Sequence, residues 1–382
     1  MTDSAPPPAR SHRPDLSLAA LLRLSCAYAV ATSGTLLMPL IVSVLMRRFG
    51  VGEDAATGVA ALEIAGIAAS CAVFPRWIAR MPRRLAWVAM LGTLAAQAAG
   101  AWMPSLAAVG AARLLAGLFE GALFVVVAAT LANRAQAERA WGVIVLVAGV
   151  LDCSLLVGAY ALPAATLGDW MFLIFAAAFA LVAWPAAAAG ADAVASPATG
   201  AAPAPRHRLA QLLPTFVVMT LVYSVLSAQW ALADVVGRRL GIAPERIGPV
   251  LALVSLLGTL GALAASHRRS HALRRPILWT AQAVMAGAVL WFFAVRGGAG
   301  FFVSQLLVSA AFYAITPFLT ARISGLDADG SLLSRSIVVT FAAAFIGTAL
   351  AGTMLVQLGP IGCGLVLAAC ALAAVPVTRK AF

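Results

Sequence analysis

The chain has 382 residues, 63% of them hydrophobic and only 10% charged, with a mean hydropathy of +0.97. Soluble domains are about half apolar and about a quarter charged, so a water-soluble body of this composition would lack the polar atoms to cover its own surface. A soluble enzyme, a disordered chain and a nucleic-acid binder are therefore excluded as first readings, although a net charge of +12 and a pI near 10.9 would otherwise suggest nucleic acid.

Residues 1–17 are polar and hold Pro6, Pro7 and Pro8. They lack a short apolar core with a small-residue cleavage site, so no signal peptide is expected and the first span is retained. Apolar runs then follow at 18–45, 55–75, 85–103, 105–132, 140–163, 168–189, 209–235, 246–266, 277–295, 299–321, 332–357 and 360–377. These make twelve spans, which the length accommodates at ~20 residues each. The narrowest break lies at 101–105. Each run is continuous, without the alternation of a barrel strand, so helices are expected. The stretch 186–208, rich in Ala, Pro, Gly and Ser, reads as a linker between 18–185 and 209–378.

The basic residues, 25 of them Arg, are unevenly placed. Six lie in loops on one side (Arg47, Arg48, Arg238, Arg239, Arg246, Arg296) and two, Arg23 and Arg113, inside spans. The other 18, among them Arg76, Arg80, Arg83, Arg84, Arg134, Arg274 and Arg275, face the opposite side. This bias places both termini and the linker in the cytoplasm of a bacterial-type inner membrane. Trp77, Trp102, Trp141 and Trp170 fall at or beside span ends, where an amphipathic ring suits the interface. The five cysteines sit in apolar runs without metal or redox spacing and read as small buried hydrophobes.

Self-similarity sharpens the architecture. Arg47-Arg48-Phe49-Gly50-Val51 recurs 191 residues later as Arg238-Arg239-Leu240-Gly241-Ile242. Arg83-Arg84 before Trp87 recurs as Arg274-Arg275 before Trp279, and Arg113-Leu114-Leu115 aligns with Gln305-Leu306-Leu307. Two parallel six-helix repeats place a cavity between them near the bilayer midplane.

From about Leu18 to Val377 the chain resembles the major facilitator superfamily. The family's loop signature between spans two and three, roughly Gly-x-x-x-Asp-Arg-x-Gly-Arg-Arg, is matched by Arg80, Arg83 and Arg84, while Pro75, Ala79 and Pro82 stand where the family has Gly, Asp and Gly. Arg113 and Gly117 match the span-four signature that the family associates with proton coupling. The span-five antiporter signature is represented by Gly149-Val150-Leu151-Asp152 and Gly158, without its Gly-Pro pair. The resemblance implies an all-α membrane protein, with twelve transmembrane helices in two pseudo-symmetric six-helix bundles. It also implies a gating loop at Arg80, Arg83 and Arg84. Tyr28, Tyr223, Gln229, Trp230, Gln305 and Tyr313 fall in spans that line the cavity in this family.

Ionisable side chains at membrane depth cost ~2.5–3.5 kcal/mol or more and are expected to face a cavity or a partner. Glu63, Arg113, Glu120 and Asp152 are such residues, all in the first half. Their counterparts Val254, Gln305 and Phe312, for Glu63, Arg113 and Glu120, are neutral. Arg113 and Glu120, two turns apart on one face, are separated by ~10.5 Å along the axis and need a bridge to interact. A carboxylate here is expected to bind the coupled proton, with Arg113 tuning it; the alternative is that Arg113 is a permanent helix tie. Arg23 is expected to snorkel to the interface, and Asp234 to sit at a solvated rim beside Arg238. The histidines, His12, His207, His267 and His271, all fall in loop segments on the cytoplasmic side, which argues against a membrane-embedded His relay.

No Walker motif or nucleotide domain is present, so the expected driving force is the proton gradient, with no cofactor or metal. The expectation is a monomeric secondary transporter of a small molecule, working by alternating access. Three acids against one Arg favour proton-coupled efflux, in antiport, of a drug-like or amphiphilic neutral or cationic compound; import of an organic acid is the alternative. A polytopic membrane enzyme would need Asp, His or Glu clustered at interfacial loops, and the loops lack them.

Overall fold

The computed structural model describes residues 16–78, 80–131, 137–193, 206–266, 270–327 and 331–382, all helix and short connections. The first span is α1 (Leu18–Leu36) followed by α2 (Met38–Phe49). Ser17 caps α1, its Oγ accepting from the Ala20 amide at 3.2 Å. The break falls at Leu37 because Pro39, in the first turn of α2, has no N–H to continue the ladder. Spans two to six are α3 (Glu53–Val73) with the single turn α4 (Pro75–Ile78), α5 (Pro82–Trp102), α6 (Leu106–Leu131), α7 (Ala137–Tyr160) and α8 (Ala164–Ala188), the last ending in a 3-10 turn (Ala189–Ala191). The seventh span is α9 (Arg206–Ala231) and α10 (Ala233–Arg239). The eighth is α11 (Pro244–Gly258), a 3-10 turn (Thr259–Ala262) and α12 (Leu263–Ser266). Spans nine and ten are α13 (Ser270–Ala294) and α14 (Gly298–Leu326).

The remaining helix, α15 (Ser331–Ala381), has 51 residues. That is ~76 Å of straight helix, more than twice a hydrocarbon core of ~30 Å. It doubles back at Gly359, whose φ of 68° and ψ of 176° only glycine adopts easily, just before Pro360. The two arms are the eleventh and twelfth spans.

Helix boundaries recur at the spacing of the sequence repeat. Gly50 and Gly241, 191 residues apart, both close a helix or turn with positive φ, at 61° and 73°. The next helices begin at Glu53 and Pro244, also 191 apart. Within the first half α6 packs against α3, α5 and α1; within the second, α15 packs against α9 and α13. The halves meet where α3 runs along α15 and α7 along α11. Lipid supplies no hydrophobic drive between helices, so close backbone approach carries the packing. The α3–α6 seam shows it: a Cβ on Gly66 would lie 2.7 Å from the Leu118 nitrogen, and one on Gly117 would collide with the Glu63 carbonyl.

Several expectations shift. Residues 186–191 of the expected linker continue as helix and 3-10 turn, and Arg23, expected to snorkel, holds the next residue, Asp192, through Nε and Nη2 at 2.8 and 2.7 Å. Residues 194–205 of that linker, and the N-terminal segment through Asp15, lie outside the described residues, as do Arg134, His12 and His267; the side chains of Arg76, His207 and His271 are not described either. Trp141 turns inward, edge-on to Tyr28 and Phe124 at 5.3 and 6.2 Å, rather than sitting at the interface. Trp77, Trp102 and Trp170 are exposed to the surroundings of the bundle. The cysteines are all free; Cys71, Cys153 and Cys363 are buried, Cys26 and Cys370 half-buried.

Candidate functional site: a buried charge network between three helices

Three of the four intramembrane ionisable residues converge in the first half. Glu63 on α3 and Arg113 on α6 form an ion pair, and their side chains are 0% and 1% exposed. The Gly66–Gly117 contact draws the two backbones together at this level, and Gly34 on α1 faces the Glu63 carboxylate so closely that a Cβ there would lie 2.5 Å from its Oε1. Arg113 also donates Nη1–H to Gln97 Oε1 at 2.6 Å and lies 5.0 Å from the Phe172 ring centre.

Gln97, from α5, supplies the bridge between Arg113 and Glu120. Its Nε2 donates to Glu120 Oε1 at 3.1 Å. Both side chains are buried, and Glu120 Oε2 has no hydrogen-bond partner among the described residues. The result is a chain Glu63–Arg113–Gln97–Glu120 through three helices, with one cation for two acids. Gln97 was not singled out from the sequence. A lone amide in an apolar span is an ordinary packing residue, and its importance depends on two partners on another helix.

Asp152 on α7 stands apart from this chain. It is 6% exposed and lies 3.4 Å from Thr32 Oγ1 of α1, a hydroxyl that is closer, at 2.9 Å, to the Tyr28 carbonyl. A single hydroxyl proton serves one of these acceptors. No cation reaches Asp152 among the described residues. It is within electrostatic range of Glu120 and of Tyr28.

The expected lining residues divide into two groups. Tyr28, Tyr223 and Tyr313, from α1, α9 and α14, lie within electrostatic range of one another. They are flanked by aromatic rings: Phe124 lies 5.7 Å from Tyr28 and 5.2 Å from Phe341 of the other half, and Phe312 lies 4.8 Å from Tyr223 and 5.3 Å from Tyr313. This group surrounds the junction of the halves. The other group is engaged in ties. Gln229 Nε2 donates to Gln305 Oε1 at 2.8 Å, both side chains buried, joining α9 to α14. Trp230 Nε1 donates to the Leu36 carbonyl at 3.1 Å, joining the seventh span to the break in the first.

The arginine-poor end is stapled between the halves. Asp234, expected at a solvated rim, is fully buried: Arg238 Nε donates to its Oδ2 at 2.6 Å and the Tyr160 hydroxyl to its Oδ1 at 2.8 Å. The i,i+4 pairing with Arg238 is present; the burial arises because α10 packs against α2 and Tyr160, at the end of α7, reaches its first turn. Arg239 pairs with Glu53, and the Gly352 amide donates to Thr57 Oγ1 at 3.1 Å. Arg80, Arg83 and Arg84 lie at the opposite, arginine-rich end and are exposed.

Comparison with solved structures matches this arrangement over nearly the whole chain. The human organic anion transporter MFSD10 (TETRAN) superimposes with a TM-score of 0.66 at 18% identity, covering 94% of this chain and 98% of its own. A D-xylose–proton symporter gives 0.70 at 15% identity, covering 94% and 96%, and the xylose transporter XylE from E. coli, in a partially occluded inward-open conformation, gives 0.67 at 13%, covering 95% and 98%. The chain has the major facilitator fold. No protein-family model and no curated protein matches the sequence. The fold accounts for the two six-helix bundles and for the seam at which Asp152, Tyr28, Tyr223 and Tyr313 meet. It is the fold of a multi-pass helical membrane protein.

Proposed function

We propose that this chain is a secondary active transporter in which protons drive the movement of a small amphiphilic molecule by alternating access. The observation that carries the reading is the surplus of buried carboxylates at membrane depth: Glu63 is matched by Arg113, while Glu120 and Asp152 have no cation of their own. Buried charges persist when paired or when a function retains them. In this reading Glu63–Arg113 positions the network and Glu120 and Asp152 exchange the proton. The fold shared with sugar, anion and peptide transporters supports a transport role. The staples at the arginine-poor end correspond to a state closed on that side. With the arginine-rich loops in the cytoplasm, as the loop bias argues, this is the inward-facing half of the cycle.

Cargo follows from the same site. Tyr28, Tyr223, Tyr313 and the flanking phenylalanines offer ring faces, and Asp152 beside them offers a carboxyl that would be negative once its proton has left. Flat cations bind well to such surroundings, so the reading is export of cationic or neutral amphiphiles in exchange for protons. The test uses proteoliposomes carrying an internal pH dye, with ethidium as the cationic probe and benzoate as an acid probe. Ethidium-dependent proton movement is expected from the wild type and lost in Asp152→Asn and Glu120→Gln. Full coupling in both variants would refute the proton assignment, and benzoate-coupled proton entry without an ethidium response would favour import of organic acids.

A further inference from the structure

The second structural feature that asks for a ligand lies at the arginine-rich end, away from the charge network. A cavity of about 510 Å³ opens there between the start of α5 and the turn after α8, lined by Arg80, Arg83, Arg84, Pro82, Gly190 and Ala191, among others. Its back wall is tight: a Cβ on Gly190 would lie 2.7 Å from the Pro82 carbonyl. Among the described residues the three arginines form no ion pair. The acid nearest in sequence to the lining, Asp192, is held in a bidentate pair by Arg23.

The internal repeat offers a contrast. Arg83 and Arg84 correspond to Arg274 and Arg275, 191 residues apart. In the second half Arg274 and Arg275 donate to the Phe382 backbone oxygen at 3.2 and 2.7 Å. In the first half Arg83 and Arg84 line the cavity and pair with no carboxylate among the described residues.

The surface below the cavity selects its source. Arg84, Val88 and Leu91 form one stripe along α5 at i, i+4 and i+7. Val88 and Leu91 are each 58% exposed; beside them on α8, Leu181 is 86% and Trp184 73% exposed. Trp184 stacks edge-on against Trp87 of α5 at 5.3 Å, which fixes the two helices side by side under the cavity. An apolar track thus runs from the arginines into the hydrocarbon, and a Trp pair marks its interfacial level.

We propose that this cavity binds the phosphate headgroup of an anionic phospholipid, with the acyl chains laid along the α5–α8 track. Guanidinium groups match phosphate oxygens in bidentate fashion, and basic pockets between membrane helices hold anionic headgroups. A free phosphate would satisfy the arginines but leave the track unused. The inference rests on the membrane placement of the fold; it is independent of the transport reading, because its readout is binding.

The test is lipid retention by the full-length protein in detergent, measured by native mass spectrometry with phosphatidylglycerol and phosphatidylcholine of identical chains. Each arginine near an anionic headgroup is worth about fivefold. The triple variant Arg80→Gln, Arg83→Gln, Arg84→Gln is therefore expected to lose phosphatidylglycerol on the order of a hundredfold, while Arg274→Gln with Arg275→Gln retains it. Ala191→Leu keeps all three charges and puts a bulkier side chain in the cavity wall, and it should lower binding without altering solubility. Equal phosphatidylglycerol retention by the wild type, the triple variant and Ala191→Leu would overturn the site. Displacement of the lipid by an equal concentration of inorganic phosphate would overturn the assignment to lipid.

Discussion

The Glu63–Arg113 pair can be tested as a structural tie by removing its partners singly and together. Both side chains are essentially unexposed. Truncating one partner of a buried ion pair leaves an uncompensated charge and costs ~3–5 kcal/mol, whereas replacing both by neutral groups of similar size is close to neutral. Arg113→Gln also forfeits the hydrogen bond to Gln97, worth about 1 kcal/mol. The single variants Glu63→Gln and Arg113→Gln are thus each expected to lose ~3–5 kcal/mol, and the double variant no more than ~2 kcal/mol. The implied coupling of at least ~4 kcal/mol is well above the ~0.6 kcal/mol average for neutral hydrogen bonds between membrane helices. Unfolding in mixed detergent–SDS micelles, followed by tryptophan fluorescence, measures it. Single-variant losses that add to the double within about 0.5 kcal/mol would mean that the two residues do not interact, and the network would have to be rebuilt around Gln97.

Gln97→Leu removes the donor to Glu120 and the acceptor for Arg113; it should cost ~1–3 kcal/mol and weaken proton coupling in the liposome assay, whereas a purely packing role would leave coupling intact. Gly117→Ala should sharply reduce folded yield on fluorescence-detected size exclusion, because its methyl meets the Glu63 carbonyl, while Gly142→Ala, with open space around it, should behave as wild type. Tyr160→Phe removes the hydroxyl that holds Asp234. In a cysteine-free background it should speed alkylation of Leu36→Cys by an impermeant maleimide several-fold from the arginine-poor side, and an unchanged rate would show that this contact does not seal that end.

The spans were legible because each is a long apolar run with polar punctuation, and the break at 101–105 appears between Trp102 and Leu106. The repeat was legible because the backbone requires its glycines, Gly50 and Gly241 each ending a helix or turn in the left-handed region. Four intramembrane charges were legible because insertion makes such residues rare. Their partners were not. Which acid meets Arg113 depends on the register of α3 against α6, and that register is set by Gly66 and Gly117 meeting a facing backbone, which hydropathy does not record. Gln97 is neutral and solitary in its span. Asp234 looked like a rim residue because it precedes a loop, and its burial comes from α7 and α2 of the other half closing over α10. The end of α8 was read as linker because its Ala- and Gly-rich run continues past the helix, whereas the helix and its 3-10 turn run on to Ala191 and the distant Arg23–Asp192 pair holds the residue that follows.

The two halves share a skeleton but divide their chemistry, and the corresponding positions show how. Arg113 and Gln305 occupy the same station, 192 residues apart. In the first half the station holds a cation that engages an acid from α3 and an amide from α5. In the second it holds an amide that accepts from another amide, Gln229 on α9. A neutral pair of this kind ties helices without titrating, so it stays the same whatever proton occupies the other half. Phe312, at the station of Glu120, is likewise inert and gives its ring to Tyr223 and Tyr313. One half can then change charge while the other offers a constant aromatic face. In the proposed cycle, protonation of Glu120 or Asp152 would alter how the first half sits against the second along α3–α15 and α7–α11. Asp152 lies on α7, one of those two seams, and its neighbour Cys153 is within 3.7 Å of the Ala252 carbonyl across it. Of the two acids without a cation, Asp152 is therefore the one placed nearest a seam between the halves, and in the proposed cycle its proton would act there first.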